Sequence, residues 1–298
     1  MQSHTYSVTV SGKTITAEFT DLAEQATGSV LMRSGNTTIL VAIVMGEHPK
    51  EGQSWFPLSV DYEERFYAAG AILGSRFMRR EGRPSEEAIL SGRIVDRTIR
   101  PLFPSHMRNE VQVVITVLSV GEEDPDTLAV LGASLALATS RIPWNGPVGS
   151  VRLGKMKGND TFIINPSYLE RRDENFELDL LVCGKDGTIN MIEVGGLQVE
   201  ESVVVKGLEQ ASEIITALED FQKKIVKERG VEKMEAPTPE IPAEYKELFA
   251  SEIAPVLDAH LFSGPGKKKM HELEDKWHTL IAEKIPEANK EFVRMLIE

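Results

Sequence analysis

The alternation of apolar and polar residues between Tyr6 and Asp61 constrains the fold of this chain more than any other feature of its sequence. YSVTV and TITAEFT alternate on either side of Ser11-Gly12-Lys13, which is typical of a β-hairpin with one buried face. A second pair of arms surrounds Ser34-Gly35-Asn36, and its second arm is apolar enough for a central strand. Pro57 indicates an edge strand or a strand start in WFPLSVDYEER. The chain therefore begins with a sheet built from hairpins.

Helices and further strands are predicted after this sheet. Ser85 is a candidate N-cap, and Glu86 and Glu87 follow it in the first turn, where the helix dipole favours carboxylates. Pro101 and Pro104 end that helix. A strand buried on both faces is predicted from Val111 to Val120, and a helix of small residues from Thr127 to Ser140. Four β segments follow, and the last two join at Lys185-Asp186-Gly187. A long amphipathic helix is then predicted from about Glu200 to Glu228, ending at Gly230.

The composition changes after this long helix. GVEKMEAPTPEIPAE has three prolines and is typical of a linker, and the segments beyond it have helical periodicity. We therefore predict two domains, residues 1–229 with mixed α and β structure and residues 230–298 with helices only. The final helix reaches Glu298 without a stop signal, so we expect the natural protein to continue past this residue.

The composition excludes several classes of protein. The chain has 298 residues, of which 41% are apolar, but its longest apolar runs are too short and too polar to cross a bilayer. The N-terminus lacks a secretory signal pattern, and the single cysteine, Cys183, fits a reducing compartment. We expect a cytoplasmic protein, with Cys183 buried on a strand rather than acting as a nucleophile.

Positive charge is concentrated in one stretch of this acidic chain. The formal net charge is -13, yet seven arginines lie between Gly70 and Pro104, and no lysine occurs between Lys50 and Lys155. An acidic surface repels phosphates on average, so a polyanion has to bind at a focused patch. Arginine offers a planar fork of donors that fits phosphate. The arginine-rich stretch is therefore the predicted recognition surface.

The first candidate binding element is a glycine-flanked loop. Its residues are Phe77, Met78, Arg79 and Arg80, followed by Arg83. An aromatic ring beside paired arginines can grip single-stranded nucleic acid, because the ring stacks on a base while the guanidinium groups bind phosphates. The alternative is a surface loop whose arginines pair with Glu81, Glu86 and Glu87.

The second candidate element is a stripe of arginines on the following helix. Arg93, Arg97 and Arg100 are four and three positions apart, so they lie on one helix face. Asp96 could pair with this stripe, but one carboxylate cannot neutralise three guanidinium groups. Phosphate or carboxylate binding in a cleft is the favoured interpretation.

The acidic turn that contains Glu122, Glu123, Asp124 and Asp126 offers hard oxygen ligands, as a metal site would. Carboxylates at a helix start are more often solvated partners of the helix dipole, which is the favoured interpretation here. The six histidines show no metal-ligand spacing, and the sequence has no Ser-His-Asp or Walker-type arrangement. We assign no catalytic residue and no metal ligand to this chain.

Three segments carry a resemblance to a known family. FYAAGAILGSRFMRREGRPSEEAILSGRIVDRTIRPLFP, NEVQVVITVLSV and RIPWNGPVG closely resemble the first ribonuclease PH-like half of the polynucleotide phosphorylase family. The resemblance extends through LDLLVCGKDGTINMIEVGG and the helical segment after it. It implies an α+β fold of the ribonuclease PH-like (ribosomal protein S5 domain 2-like) type, in which a mixed sheet carries packed helices and is joined to an all-helical linker domain.

The resemblance also implies an activity and partners. Members of the family degrade mRNA from its 3′ end by phosphorolysis and release nucleoside diphosphates with Mg²⁺. They form homotrimeric rings around a single-stranded RNA channel, use inorganic phosphate, and join the RNA-degradation machinery. Phe77 to Arg80 match the family's channel loop, with Met78 in place of an aromatic residue, and Arg93, Arg97 and Arg100 match arginines that line a cleft.

A departure from the family pattern limits what this chain is expected to do. Catalytic halves have a strand aspartate and a Gly-Ser/Thr-rich turn, whereas the corresponding segment here reads VLSVGEEDPDT. The family's second core half carries the chemistry, and that half and the KH and OB-fold modules are not among these 298 residues. We therefore expect an inactive, RNA-binding and ring-forming half that binds no Mg²⁺ itself.

Two other hypotheses remain from the sequence. One is a non-catalytic regulatory module whose arginine cleft binds a phosphate or polycarboxylate metabolite. The other is an independently active exoribonuclease of ribonuclease PH type, which the acidic turn disfavours because it lacks the catalytic pattern.

Overall fold

The computed structural model describes residues 3–50, 53, 55–72, 83–236 and 240–297. The chain divides into two compact units, the first formed by Met1–Glu51 and Trp55–Ala236 and the second by Gly52–Ser54 and Pro237–Glu298. Each unit has a hydrophobic core of its own. The domain boundary after residue 229 stays a prediction.

The first unit begins with a six-stranded sheet. Its strands are β1 (His4–Val10), β2 (Lys13–Phe19), β3 (Gly28–Ser34), β4 (Thr37–Pro49), β5 (Leu58–Glu63) and β6 (Asn109–Ser119), in the order β1-β2-β3-β4-β6-β5. Only β5 and β6 pair in parallel among these neighbours, so the sheet is mixed. Both predicted hairpins are confirmed, as is the edge strand that starts after Pro57.

The burial of β6 differs from the prediction. Val111, Val113, Ile115 and Val117 are buried, whereas Gln112 between them is exposed and the other alternate residues are half-buried. The expectation that this strand is buried on both faces is therefore wrong. The helices that complete the main core pack on one face of the sheet, so only every second side chain points into that core.

Two helices lie on this buried face, α1 (Glu86–Ile99) and α2 (Pro125–Thr139). The predicted N-cap of α1 is confirmed, because the hydroxyl of Ser85 accepts a hydrogen bond from the backbone N–H of Ala88 at 2.9 Å. Helix α2 is buried along almost its whole length, and a Cβ at Gly132 would lie 2.7 Å from the side chain of Val41. The small residues of α2 therefore allow close packing on the sheet, as its composition predicts.

A second, antiparallel sheet lies on the other side of these helices. It contains β7 (Gly149–Met156), β8 (Ile163–Ile164), β9 (Phe176–Lys185) and β10 (Thr188–Gly196), in the order β10-β9-β7-β8. Leu181, Cys183 and Met191 join the main core, so Cys183 is buried on a strand as predicted. The short helix α3 (Tyr168–Arg171) follows β8, and α4 (Glu201–Arg229) covers the other face of the sheet. The α+β class is confirmed.

The predicted end of α4 at Gly230 is confirmed, although Gly230 has extended φ and ψ angles of -61° and 140° instead of a left-handed cap. The chain then runs along the C-terminal end of α2. The N–H of Met234 donates to the carbonyl of Arg141, and the ammonium of Lys233 donates to the carbonyls of Leu137, Ala138 and Ser140. This segment is thereby bonded to the rest of the first unit.

The second unit contains α5 (Ala243–Glu252), α6 (Ala254–Leu261), α7 (Gly266–Lys284) and α8 (Lys290–Met295). The first helical stretch is divided at Ile253, since Pro255 occupies the first turn of α6. Trp277 is fully buried in the core, and its indole N–H donates to the carbonyl of Val293 at 2.8 Å. Within the described ranges, no helix has the length and hydrophobicity needed to cross a bilayer.

Candidate nucleic-acid interface

A cavity of about 1000 Å³, here called the arginine cavity, opens along one side of α1. Its walls come from β5, the segment after it, α1, and the end of α3. The charged side chains at its lining are five arginines and five carboxylates: Arg65, Arg83, Arg93, Arg100, Arg172, Asp61, Glu63, Glu64, Glu87 and Asp96. The cavity is therefore rich in charge of both signs.

Three of these arginines have side chains without a partner in the described part of the chain. Arg83, Arg93 and Arg172 are exposed, and none forms a hydrogen bond or ion pair through its side chain with another residue of the described ranges. Arg83 lies just before the N-cap of α1, and Arg93 lies further along that helix. Arg172, which sequence reasoning missed, caps the C-terminus of α3. Three elements thus bring to one cavity guanidinium groups that are unpaired within the described residues.

The stripe predicted on α1 does not remain a single unit. Arg97 does not line the arginine cavity, and its Nη1 donates to Glu193 on β10 at 2.8 Å. Arg100 donates to both carboxylate oxygens of Asp96, and to the backbone carbonyls of Phe56 and Leu58 at 3.2 and 3.1 Å. Of the three, Arg93 is the arginine that faces the cavity without a partner among the described residues.

The predicted loop element lies mostly outside the part of the chain that the structure describes. Phe77, Met78, Arg79 and Arg80 are outside the described residues, whereas Arg83 is described and lines the arginine cavity. Arg65 also lines it and pairs with Glu63. The sequence placed Arg83 and Arg93 in two separate elements, but the structure brings both to the same cavity.

A buried ion cluster lies close to this cavity, centred on Arg152. The guanidinium of Arg152 is 2.9 Å from Asp124, 3.0 Å from Asp179 and 3.1 Å from Asp126. Arg171 lies 2.7 Å from Asp124 and 3.1 Å from Asp179. The side chains of Arg152 and Asp124 are only 8% and 3% exposed, whereas those of Arg171 and Asp179 are 23% and 26% exposed, so the centre of the cluster is buried and its edge is half-buried.

The fold explains how these charges meet. Asp124 is the N-cap of α2, and its carboxylate accepts a hydrogen bond from the N–H of Asp126. Arg152 on β7 and Asp179 on the neighbouring β9 lie on the sheet face that is turned toward the helices. The prediction that the acidic turn begins a helix is confirmed, but the expectation of a solvated turn is wrong for Asp124. Its arginine partners are remote in sequence and were missed.

The cluster changes the proton affinity of its members. Burial, together with the charge of Asp124, raises the pKa of Asp126 to about 6. Burial also raises the pKa values of Tyr62 and Tyr168 above the ordinary value for tyrosine, with the nearby aspartates adding to the effect. These two phenols therefore stay protonated and can donate hydrogen bonds.

The donor set of this cluster does not fit a divalent cation. Magnesium requires carboxylate oxygens that are open to it, whereas the three aspartates here already surround the guanidinium of Arg152. Among the described residues, no group of three or more histidine, cysteine or acidic side chains is arranged to hold a metal ion. The guanidinium of Arg152 thus occupies the place between the three aspartates where a metal cation would have to bind.

A second cavity, of about 660 Å³, adjoins the arginine cavity. Five residues line both cavities: Tyr62, Glu64, Glu87, Tyr168 and Arg172. The rest of its wall has apolar residues, among them Leu90, Ile94, Phe176 and Leu197, together with Ser91 and the charged residues Asp126, Arg171, Glu177 and Asp179. The two cavities therefore share part of their walls, and each has charged and apolar residues.

Comparison with known protein families accounts for this architecture. Residues 11–143 match the model of domain 1 of the 3′ exoribonuclease family, and residues 146–214 match the model of domain 2 of the same family. The chain therefore belongs to the 3′ exoribonuclease family. This confirms the resemblance found in the sequence.

Curated relatives give a finer comparison. The chain is 44% identical over 248 residues to the polyribonucleotide nucleotidyltransferase of Desulforamulus reducens, covering 81% of this chain and 33% of the relative. It is 44% identical to that of Brevibacillus brevis, covering 78% and 32%, and 43% identical to that of Caldicellulosiruptor bescii, covering 83% and 35%. The chain thus spans about a third of the length of the curated relatives it matches.

A solved structure supports the fold independently. The crystal structure of rice (Oryza sativa) Rrp46 matches with a TM-score of 0.55 and 13% sequence identity, covering 76% of this chain and 94% of that one. At this identity the likeness concerns the fold alone. The predicted ribonuclease PH-like fold is confirmed.

Proposed function

We propose that this chain is the RNA-binding first half of a phosphorolytic 3′-to-5′ exoribonuclease, which degrades mRNA to nucleoside diphosphates at a centre on a second core half. The observation that carries the proposal is the convergence of Arg83 and Arg93 on one cavity without partners among the described residues. Unpaired arginines at a concave surface fit the phosphate groups of a nucleic acid. The loop Phe77 to Arg80, with its aromatic ring and paired arginines, is proposed to meet the same strand.

The ion cluster around Arg152 supports the proposal that phosphorolysis takes place on the second core half. Phosphorolysis requires cations to neutralise the transferred phosphoryl group, and Mg²⁺ is the proposed cofactor of the whole protein. In this chain Arg152 holds Asp124, Asp126 and Asp179, so these carboxylates are committed to a guanidinium. We therefore assign to this half the binding of RNA and the building of a ring. For the whole protein we also propose that it uses inorganic phosphate, forms a homotrimer and contacts the RNA-degradation machinery. Its proposed location is the cytoplasm.

The alternative, a module for a polycarboxylate metabolite, is less well supported. The arginine cavity has as many carboxylates as arginines, and Glu64 and Glu87 are exposed in it. A polycarboxylate would meet these negative charges, whereas RNA offers phosphates to the arginines and ribose hydroxyl groups to the carboxylates. No observation favours the metabolite.

RNA binding can be tested on the purified 298-residue chain. Fluorescence anisotropy with a fluorescein-labelled single-stranded RNA should show weak binding that declines by about tenfold between roughly 50 and 200 mM salt if about two phosphate groups are bound. Arg93→Glu should weaken binding, whereas Arg141→Glu, an exposed arginine outside both cavities, should not. Equal binding by the two variants, or tight citrate binding without RNA binding, would contradict the proposed role.

The catalytic part of the proposal has a separate test. The purified chain is incubated with RNA, inorganic phosphate and Mg²⁺, and nucleoside diphosphates are measured by chromatography. We expect none to be released by this half. Phosphate-dependent release would show that the chain holds a complete active site.

A further inference from the structure

We propose that the 660 Å³ cavity binds a nucleobase of the RNA strand whose phosphate groups lie in the arginine cavity. This inference rests on the proposed RNA-binding function and adds a site for the base to it. The ligand class is therefore a nucleotide unit within a single strand, with its base on one side of Arg172 and its neighbouring phosphates on the other.

The apolar part of the cavity calls for an apolar ligand surface. Leu90 on α1 is 60% exposed and Leu197 after β10 is 69% exposed, and both line this cavity. Phe176 and Tyr168 add aromatic rings to the same wall. Large exposed apolar residues around a concavity mark a binding site, and a flat base would cover them.

Polar groups of the same cavity suit the edge of a base. Ser91, the protonated phenol of Tyr62 and the charged Asp126, Arg171, Glu177 and Asp179 all line it, so hydrogen-bond donors and acceptors lie beside the apolar residues. Polar groups placed beside an apolar wall set the orientation of a ligand. Gly195 and Gly196 leave part of the wall without side chains, which lets a planar ring approach the backbone of β10.

Arg172 stands where the two cavities meet. Its position is fixed by a capping box at α3, in which Ser167 and Glu170 bond reciprocally, and its N–H donates to the carbonyl of Leu169. Its guanidinium has no partner among the described residues. A phosphate bound there would join a base in the smaller cavity to the strand in the arginine cavity.

The carboxylates at this junction favour a ribonucleotide over a simple anion. Glu64 and Glu87 line both cavities, and Glu64 already accepts a hydrogen bond from the hydroxyl of Ser85. Carboxylates repel a bare phosphate or a polycarboxylate. They accept hydrogen bonds from the ribose hydroxyl groups and the exocyclic amino groups of a nucleotide.

The test compares two labelled strands on the full 298-residue chain. One is a short oligoadenylate, and the other is an abasic strand of the same length with the same ribose-phosphate backbone. Fluorescence anisotropy at low salt should show that the oligoadenylate binds about 5- to 150-fold more tightly, as stacking of one base predicts. Leu90→Ser and Leu197→Ser should reduce this ratio. Val205→Ser, at an exposed valine on α4 outside both cavities, should not.

Arg172 is tested by its effect on both strands. Arg172→Gln should weaken the two strands equally and lower the slope of log affinity against log salt by about one, since the variant binds one phosphate group fewer. Arg141→Gln is the matched control. Unchanged unfolding midpoints of all variants would show that the changes are confined to binding.

The outcomes separate this inference from the proposed function. If both strands bind equally and with salt dependence, RNA binding stands and the base site is overturned. A preference for the oligoadenylate that Leu90→Ser and Leu197→Ser leave intact would place the base elsewhere and also overturn it. If neither strand binds, the proposed function fails, and the inference fails with it.

Discussion

Arg152 and Asp124 form a buried ion pair in which Nε of the arginine lies 2.9 Å from Oδ2 of the aspartate. The pair joins β7 to the N-terminus of α2, and Asp126 and Asp179 complete the shell around the guanidinium. Charges removed from water are tolerated when they are paired and hydrogen-bonded. The cluster therefore ties a helix to a sheet, and its stability depends on the arginine.

Replacing this arginine by an apolar residue should destabilise the fold strongly. Arg152→Met would leave three aspartates facing one another, and breaking a buried ion pair in this way costs about 3–5 kcal/mol. Urea denaturation at pH 7 measures the loss. Arg141→Met, at an exposed site, should change the free energy of unfolding by less than about 0.5 kcal/mol. Equal stability of the two variants would show that the cluster contributes nothing.

Asp126 should make the stability of the protein depend on pH. Its pKa is raised to about 6 in the folded state, above its ordinary value of 3.8, so the folded state binds the proton more strongly. Stability from this group is thus fully present below pH 3.8 and is lost as the pH rises through about 6. The loss amounts to about 1.4 kcal/mol for each unit between the two pKa values.

The variant Asp126→Asn removes this titration. The free energy of unfolding of the wild type, relative to the variant, should be greater at about pH 4.5 than at about pH 7.5, on either side of the raised pKa. Asp160→Asn, at an exposed aspartate without a partner among the described residues, should give the same difference at both pH values. A difference for Asp126→Asn that does not change with pH would contradict the raised pKa.

Short-range features of this fold could be predicted from the sequence. Ser85 caps α1, and the turns after Val10 and Ser34 join hairpins, because each depends on residues within a few positions of one another. The arginine stripe could also be placed on α1, since its spacing follows the helix period.

The candidate site could be predicted only in part. Helical spacing puts Arg93, Arg97 and Arg100 on one stripe, but it does not tell which strand each one faces. β10 supplies Glu193 to Arg97, while the start of β5 supplies backbone carbonyls to Arg100. Asp179 follows Arg152 by 27 positions, so only the pairing of β7 with β9 brings them together. Sequence reasoning missed Arg172 because it is remote in sequence from the other arginines that line the arginine cavity.

Lys233 should stabilise the C-terminal end of α2. Its Nζ donates to the carbonyls of Leu137, Ala138 and Ser140 at 2.7, 3.0 and 2.7 Å, where a helix end leaves carbonyls unpaired and favours positive charge. Lys233→Met should lower the free energy of unfolding by about 1.5–3 kcal/mol, because hydrogen bonds to a charged group are removed. Urea denaturation measures the loss, and Lys224→Met, at an exposed lysine of α4, is the control variant. Equal midpoints would contradict the capping role.

Arg93 and Arg100 should respond differently to the same substitution, although both line the arginine cavity. Arg100 holds the carbonyls of Phe56 and Leu58 at the start of β5, so Arg100→Gln should lower stability by about 1–3 kcal/mol. Arg93 has no partner among the described residues. Arg93→Gln should therefore leave stability within about 0.5 kcal/mol of the wild type.

RNA affinity should depend on Arg93 and not on Arg100, which is the reverse of their expected effects on stability. Arg93→Gln should weaken RNA binding and reduce the salt slope by about one, as expected when one phosphate group is no longer bound. Arg100→Gln should retain that slope, because its guanidinium is engaged with Asp96 and the backbone. Urea denaturation measures the stability of both variants, and RNA titration measures their affinity and salt slope. A reduced stability with unchanged RNA affinity in Arg93→Gln would make Arg93 a structural residue and remove it from the binding site.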